Sequence, residues 1–223
     1  MAFIGVVLSG GQSKRMGQDK AQLSALGKTM LNRTREVLLQ AGAVEVVVSR
    51  NAGMTGEIAD IYPACGPLSG IHAVCSQLPN QNLLFVPVDL PLLSKTELQR
   101  LAKAGSENQC LTRFTGHNLP LFVKNTESFR KAITCQLVHE KQYSVGHFCR
   151  QFPLAEITSQ ETQTLFNSNT QSQWMFALDL LDISRNPRTA NPSTANSSTA
   201  NSSTANPTLP NYRAVNSVCR GIS

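Results

Sequence analysis

The sequence predicts an α/β fold, a mostly parallel sheet flanked by helices, followed by a C-terminal tail without packed structure. Three observations predict it. Apolar, β-branched runs at Phe3 to Leu8, Val44 to Ser49 and Asn82 to Val88 read as buried strands. Stretches of helical periodicity separate them, so strand, loop, helix and strand form a right-handed crossover unit. Beyond Trp174 the composition shifts, and from Asn186 to Pro210 the chain repeats Ser-Thr-Ala-Asn units that offer no apolar face to bury. The expected organisation is one domain over residues 1–174 and a low-complexity, disordered tail over 175–223.

The first strand feeds a glycine-rich loop, Ser9-Gly10-Gly11-Gln12-Ser13-Lys14-Arg15-Met16-Gly17-Gln18-Asp19-Lys20. Glycines without a Cβ let backbone N–H groups approach phosphate oxygens, and Lys14, Arg15 and Lys20 bring positive charge to the same anion. Two common phosphate loops do not fit. A Walker loop needs Gly-Lys-Ser/Thr, and Gly17 precedes Gln18; a dinucleotide fingerprint needs Gly-x-Gly-x-x-Gly, and the first two glycines here are adjacent.

The remaining elements follow in order. Lys28 to Ala41 is a helix with Leu31, Thr34, Leu38 and Ala41 on one face and Gly42 as its stop. Ser49 ends the second strand on the edge that carries the cradle, where open α/β sheets bind ligands. Asp60, in a turn-rich stretch, is the acid expected to face the ligand. Cys65-Gly66-Pro67-Leu68-Ser69-Gly70 is a second glycine-flanked loop, leading into a short helix from about Ile71 to Gln77. The third strand ends in Pro87-Val88-Asp89-Leu90-Pro91, a carboxylate at a strand tip between two prolines, well placed for a hard cation.

Ser94-Lys95-Thr96-Glu97 is a capping box that opens a helix to about Lys103. Short strands at Cys110 to Thr115 and Leu119 to Val123 flank a hairpin-like turn at Gly116-His117-Asn118. Helical spacing returns from Thr126 to about His139 and again around Val145 to Phe152, and Leu154 to Thr158 is a short last strand. Met175 to Ile183 would form one or two helical turns.

From Leu8 to Lys20, Leu-Ser-Gly-Gly-x-Ser-x-Arg-Met-Gly-x-Asp-Lys resembles the signature loop of nucleotidyltransferases and, within them, the molybdenum cofactor guanylyltransferase family. Gly66-Pro67-Leu68-Ser69-Gly70 matches a Gly-Pro-Leu-x-Gly loop of that family, and Asn167-Ser168-Asn169-Thr170 resembles its Asn-x-Asn-Thr ending. Residues 3 to 174 carry the resemblance. It implies a single Rossmann-like nucleotidyltransferase domain with GTP and the molybdopterin cofactor as substrates and Mg²⁺ as cofactor. It implies GTP contacts at Leu8, Ser9, Gly10, Gly11, Lys20, Ser49, Asp60, Gly70 and Asp89. Catalytic roles fall to Arg15, Lys20 and Asp89, the metal to Asp89, and the pterin or phosphate side to Asn167 and Asn169. Where family members carry a His-Pro pair, Leu119-Pro120 stands here. Partners of such an enzyme would include molybdoenzymes, their chaperones or other cofactor-biosynthesis proteins.

Composition bounds the alternatives. The net charge of +6 is spread along a chain that is only 15% charged, so no basic arm for nucleic acid stands out. Six cysteines at scattered spacings suit a reducing compartment and no zinc site. With no cationic leader and no long apolar run, a cytoplasmic location without membrane association is expected. The competing readings are a cytidylyltransferase or sugar-phosphate nucleotidyltransferase on the same fold, which commonly have Leu-Ala-Ala-Gly where this chain has Leu8-Ser9-Gly10-Gly11, and a catalytically silent nucleotide-binding adaptor.

Overall fold

A computed structural model describes residues 2–10, 20–52 and 54–185, with side chains at Lys20 and beyond residue 182 excepted. Strand β1 (Ile4–Leu8) sends Ile4, Val6 and Leu8 to one face of the sheet and Val7 to the other. Both faces are covered, which is why the run reads as continuously apolar rather than alternating. A short 3₁₀ turn (Lys20–Gln22) and a two-stranded ribbon, β2 (Ser24–Ala25) and β3 (Lys28–Thr29), lead into helix α1 (Met30–Gln40). The helix begins two residues later than its periodicity predicts. Thr29 takes the N-cap, its hydroxyl accepting from the Asn32 N–H at 3.3 Å. Met30, Thr34 and Leu38 form the buried face, with Leu31 partly buried beside them.

Strands β4 (Glu45–Arg50) and β5 (Ile58–Ala59) precede helix α2 (Pro67–Gln77), and β6 (Asn82–Pro87) follows it. Helix α2 starts at Pro67 rather than near Ile71, because a proline at the first helical position loses no hydrogen bond and is already set at helical φ. Helix α3 (Lys95–Asn108) runs five residues past the expected stop at Lys103, and Phe122 packs directly against the Gly105 backbone.

Strands β7 (Leu111–Phe114) and β8 (Leu121–Lys124) form the expected antiparallel pair, with Arg113 opposite Leu121. Helix α4 (Glu127–Cys135) continues into a π-helical turn (Gln136–Glu140), and α5 (Val145–Cys149) and β9 (Leu154–Ile157) follow. The seven-stranded sheet has the order β5-β4-β1-β6-β8-β7-β9. β5, β4, β1 and β6 are parallel, β8 is antiparallel to β6 and β7, and β9 is parallel to β7.

Helix α6 (Gln171–Arg185) crosses the boundary expected after Trp174. Trp174, Ala177 and Leu181, at helical spacing, are buried, and Trp174 and Leu181 join the core cluster that holds Met30, Leu38 and Leu98. The apolar patch from Met175 is therefore a packed helix of 15 residues, longer than the one or two turns its sequence suggests. The Ser-Thr-Ala-Asn repeats lie outside the described residues. Among those described, no helix is long and apolar enough to cross a membrane.

Candidate active site

Register brings the predicted residues together. Leu8 pairs with Ser49 on one side and with Pro87 on the other, so the ends of β1, β4 and β6 lie abreast on one sheet edge. The chain leaves that edge at Ser9, whose backbone N–H and hydroxyl both donate to the Ser49 carbonyl, at 2.9 and 3.1 Å. Both serines are buried. Asp60 is tied to the same edge by its N–H, which donates to the Arg50 carbonyl at 3.2 Å.

Gly70, on the first turns of α2, completes the cluster. A Cβ there would stand 2.6 Å from Ser49 Oγ, 3.0 Å from Leu8 Cδ2 and 3.5 Å from Asp60 Oδ1, so only glycine lets these three groups meet. Leu8, Ser9, Ser49, Asp60 and Gly70 thus form one wall. Gly10 extends it, because the Asn51 amide oxygen occupies the space that a Cβ on Gly10 would need. Asn51 is exposed and was missed by sequence reasoning. Its signal was its place two residues past Ser49, at the end of a parallel strand, where such folds put ligand contacts. Gly11, Arg15 and the side chain of Lys20 lie outside the described residues.

Half-buried Asp60 is the titratable member of this wall. Removal from water raises its carboxyl above the ordinary value, and hydrogen bonds from the Ser69 and Ser49 hydroxyls offset part of that rise. An ionised carboxylate at this place presents an acceptor edge suited to a ligand bearing adjacent N–H groups.

Asp89 sits at the tip of β6, one strand across from the wall. Its loop is held from three sides. The Val88 N–H donates to the Leu8 carbonyl at 3.1 Å, tying it to β1. The buried Ser168 donates its N–H to the Asp89 carbonyl at 3.0 Å, with its hydroxyl at 3.4 Å from the same oxygen. Arg33 of α1 donates to the Pro91 carbonyl at 3.3 Å. Thr164 adds a fourth fastening: its hydroxyl donates to the Leu92 carbonyl at 3.3 Å and accepts from the Ser94 N–H at 3.1 Å.

That last contact changes the expected capping box. Ser94 caps α3 as predicted, accepting from the Glu97 N–H at 3.2 Å. The reciprocal bond is absent because Thr164 has taken the Ser94 N–H. Glu97 is instead fully buried and accepts from the N–H groups of Gln160 and Glu161, at 2.8 and 3.1 Å, and from Arg100 at 2.8 Å. It anchors the chain that leads to Thr164 and Ser168.

The Asn-x-Asn-Thr segment therefore returns to the Asp89 edge through the serine between the two asparagines. Asn167 is exposed there, and Asn169 is half-buried with its N–H donating to Gln173 Oε1 at 2.9 Å. No cluster of three His, Cys, Asp or Glu side chains suited to a metal stands together among the described residues. The Asp89 carboxylate at this edge is an oxygen donor of the kind that suits a hard divalent cation.

A family model, the MobA-like NTP transferase domain, matches residues 5–148. A molybdenum cofactor guanylyltransferase of Xanthomonas euvesicatoria is 37% identical over 176 residues, spanning 77% of this chain and 92% of that protein. Among solved structures, a molybdopterin-guanine dinucleotide biosynthesis protein A from Archaeoglobus fulgidus superposes with a TM-score of 0.66 at 17% identity, covering 81% of this chain and 99% of that one. A manganese complex of a Mycobacterium tuberculosis protein does so with a TM-score of 0.58 at 17% identity, covering 79% and 98%. The match to the family model over most of the sheet, with a 37% identical relative along nearly its whole length, establishes that the chain belongs to the MobA-like NTP transferase family and is a nucleotidyltransferase.

Proposed function

We propose that the chain transfers GMP from GTP to the terminal phosphate of molybdopterin, forming the guanine dinucleotide cofactor and releasing pyrophosphate. One observation carries the reading: Ser49, Asp60 and Gly70 converge with Leu8, Ser9 and Gly10 on the edge that also holds Asp89. Guanine presents adjacent N1–H and N2–H donors, and the Asp60 carboxylate is the matching acceptor. The Leu8 side chain and the Ser9-Gly10 backbone would carry the base and sugar toward the glycine loop. Gly11, Arg15 and Lys20 would meet the phosphates, Lys20 and Arg15 countering the charge that moves onto pyrophosphate. On the acceptor side, Asn167 and Asn169 would orient the incoming phosphate.

The reaction needs no covalent intermediate. A phosphate oxygen of molybdopterin attacks the α-phosphorus of GTP in line, a new P–O bond forms, and the bond from the α-phosphorus to the bridging oxygen breaks as pyrophosphate leaves. Positioning and charge neutralisation supply the acceleration. Asp89 would hold Mg²⁺, which supplies neutralisation of phosphate charge when bound. The manganese complex of a structural relative supports a divalent ion on this fold. A cytoplasmic setting, with molybdoenzymes, their chaperones or other cofactor-biosynthesis proteins as partners, fits this activity. Isothermal titration of the protein with GTP, CTP and ATP in the presence of Mg²⁺ tests the reading. Tight binding of GTP alone supports it, and equal binding of CTP contradicts it.

A further inference from the structure

The turn between β7 and β8 stands on the same sheet edge as Asp89, because β8 is antiparallel to both β6 and β7. Phe85 lies opposite Leu121, so beyond that pair β6 runs on to Asp89 while β8 runs back to the turn at Gly116-His117-Asn118. The turn is closed by the His117 N–H, which donates to the Phe114 carbonyl at 3.0 Å. Asn118 is exposed in it, yet its carboxamide has one orientation. Arg113 of β7, its side chain 15% exposed, donates from Nη1 to Asn118 Oδ1 at 2.8 Å. A guanidinium offers donors alone, so the amide oxygen faces it and the NH2 group faces away. The guanidinium is itself fixed, donating from Nε and Nη2 to Glu156 Oε1 of β9 at 2.9 and 2.7 Å. The amide also lies against the buried Gly146 of α5, where a Cβ would stand 2.6 Å from Oδ1 and 3.2 Å from Nδ2. Among the described residues the NH2 group has no acceptor.

We propose that Asn118 is a binding residue for the second substrate, its NH2 group donating to a phosphate oxygen of the acceptor as that phosphate comes up to the Asp89 edge. This rests on the assignment of molybdopterin as the acceptor. With its oxygen taken by Arg113, the amide presents donors only. They match a phosphate, whose ionised oxygens only accept, better than a pterin ring, whose edge mixes donors with acceptors. The bond from Arg113 also polarises the amide, so its N–H groups donate more strongly than those of a free asparagine. Arg113 is then a positioning residue, and the missing Cβ of Gly146 gives the amide its room.

The test is fluorescence titration of molybdopterin and of its dephosphorylated form, on the full chain and on its Asn118→Ala and Asn118→Asp variants, with GTP affinity in Mg²⁺ measured alongside. Asn118 is exposed, so both variants keep the core intact. The alanine variant should bind molybdopterin about tenfold more weakly, the worth of one hydrogen bond to a charged group. The aspartate variant should lose more, because one oxygen still meets Arg113 and the other now faces the phosphate with like charge. Affinity for GTP and for the dephosphorylated form should stay at the wild-type values in both. A structural asparagine would lower the melting temperature and leave molybdopterin affinity unchanged, and this result overturns the proposal. An equal loss for the dephosphorylated form overturns it too, since the amide would then meet the pterin. A wild-type chain that does not bind molybdopterin would instead overturn the parent assignment.

Discussion

Ser168 fastens the Asp89 carbonyl with its backbone N–H at 3.0 Å, although the two residues lie 79 positions apart. The bond joins the segment after β9 to the tip of β6, so the acid proposed for the cation is framed by the chain that carries Asn167 and Asn169.

The frame makes Asp89 separable from nucleotide binding. Asp89→Asn keeps the size of the side chain but offers a neutral amide oxygen, a weaker ligand for a hard cation. Turnover should fall by about 100-fold or more, since the cation contributes several kcal/mol to the transition state. GTP affinity through the wall at Ser49 and Asp60 should change much less. Single-turnover kinetics at varied Mg²⁺ check this: full activity at ordinary Mg²⁺ would remove Asp89 from the role.

Thr164→Val tests the strap that holds the Asp89 loop. The substitution removes a hydroxyl that serves the Leu92 carbonyl and the Ser94 N–H inside the fold. Buried groups left without partners cost about 1–3 kcal/mol, equivalent to roughly 2–4 °C in Tm per kcal/mol for a domain of this size. A calorimetric Tm together with the Mg²⁺ concentration for half-maximal activity checks it. Both should shift, the second upward; a Tm loss with unchanged Mg²⁺ dependence would make the strap structural only.

Asp60 gives a pH dependence of defined sign. Its folded value is raised by burial, so the unfolded chain releases this proton at lower pH than the folded chain does. As pH rises from the unfolded value through the folded one, this group withdraws stability, and the cost remains at neutral pH. Asp60→Asn should therefore raise Tm at pH 7.5 relative to wild type while weakening GTP binding. Its ligand role runs oppositely, since a protonated carboxyl cannot accept from both guanine donors. GTP affinity in the wild type should fall as pH drops through the raised folded value. Thermal melts and titrations at matched pH check both signs, and a variant that lost stability at neutral pH would refute the burial argument.

Much of this was legible in the sequence because it depends on local pattern. The strands carry continuous apolar runs, and Asp60, Ser49 and Gly70 fall near strand or helix ends that the topology must bring to one edge. The partnerships of side chains distant in sequence were not. Glu97 matches the capping-box pattern, yet its carboxylate serves Gln160 and Glu161, some 60 residues on, because Thr164 occupies the site it would have filled. Asn51 looked like one polar residue in a turn-rich stretch until the Gly10 backbone was found against it. The extent of α6 was hidden by a mixed apolar and acidic composition, whose buried stripe at Trp174, Ala177 and Leu181 emerges only when a core is there to receive it.

That stripe sets where the domain can be shortened. A chain ending after Arg185 keeps Trp174, Ala177 and Leu181 in place, and the repeats removed have no apolar face to contribute. Its Tm should match the full chain within about 2 °C, less than 1 kcal/mol is worth in a domain of this size. A chain ending after Trp174 loses the burial of Ala177 and Leu181 and should melt well below it, with about 2–5 kcal/mol at stake for the leucine alone. Equal melting of the two truncations would contradict the packing of α6.

The central assignment is decided by pyrophosphate release from each of the four ribonucleoside triphosphates, measured with purified molybdopterin as acceptor and Mg²⁺ present. The Asp60 wall and the Asp89 tip predict rapid release from GTP, formation of molybdopterin guanine dinucleotide, and little turnover of CTP, ATP or UTP. Turnover of CTP equal to that of GTP, or release from GTP that does not require molybdopterin, would contradict it.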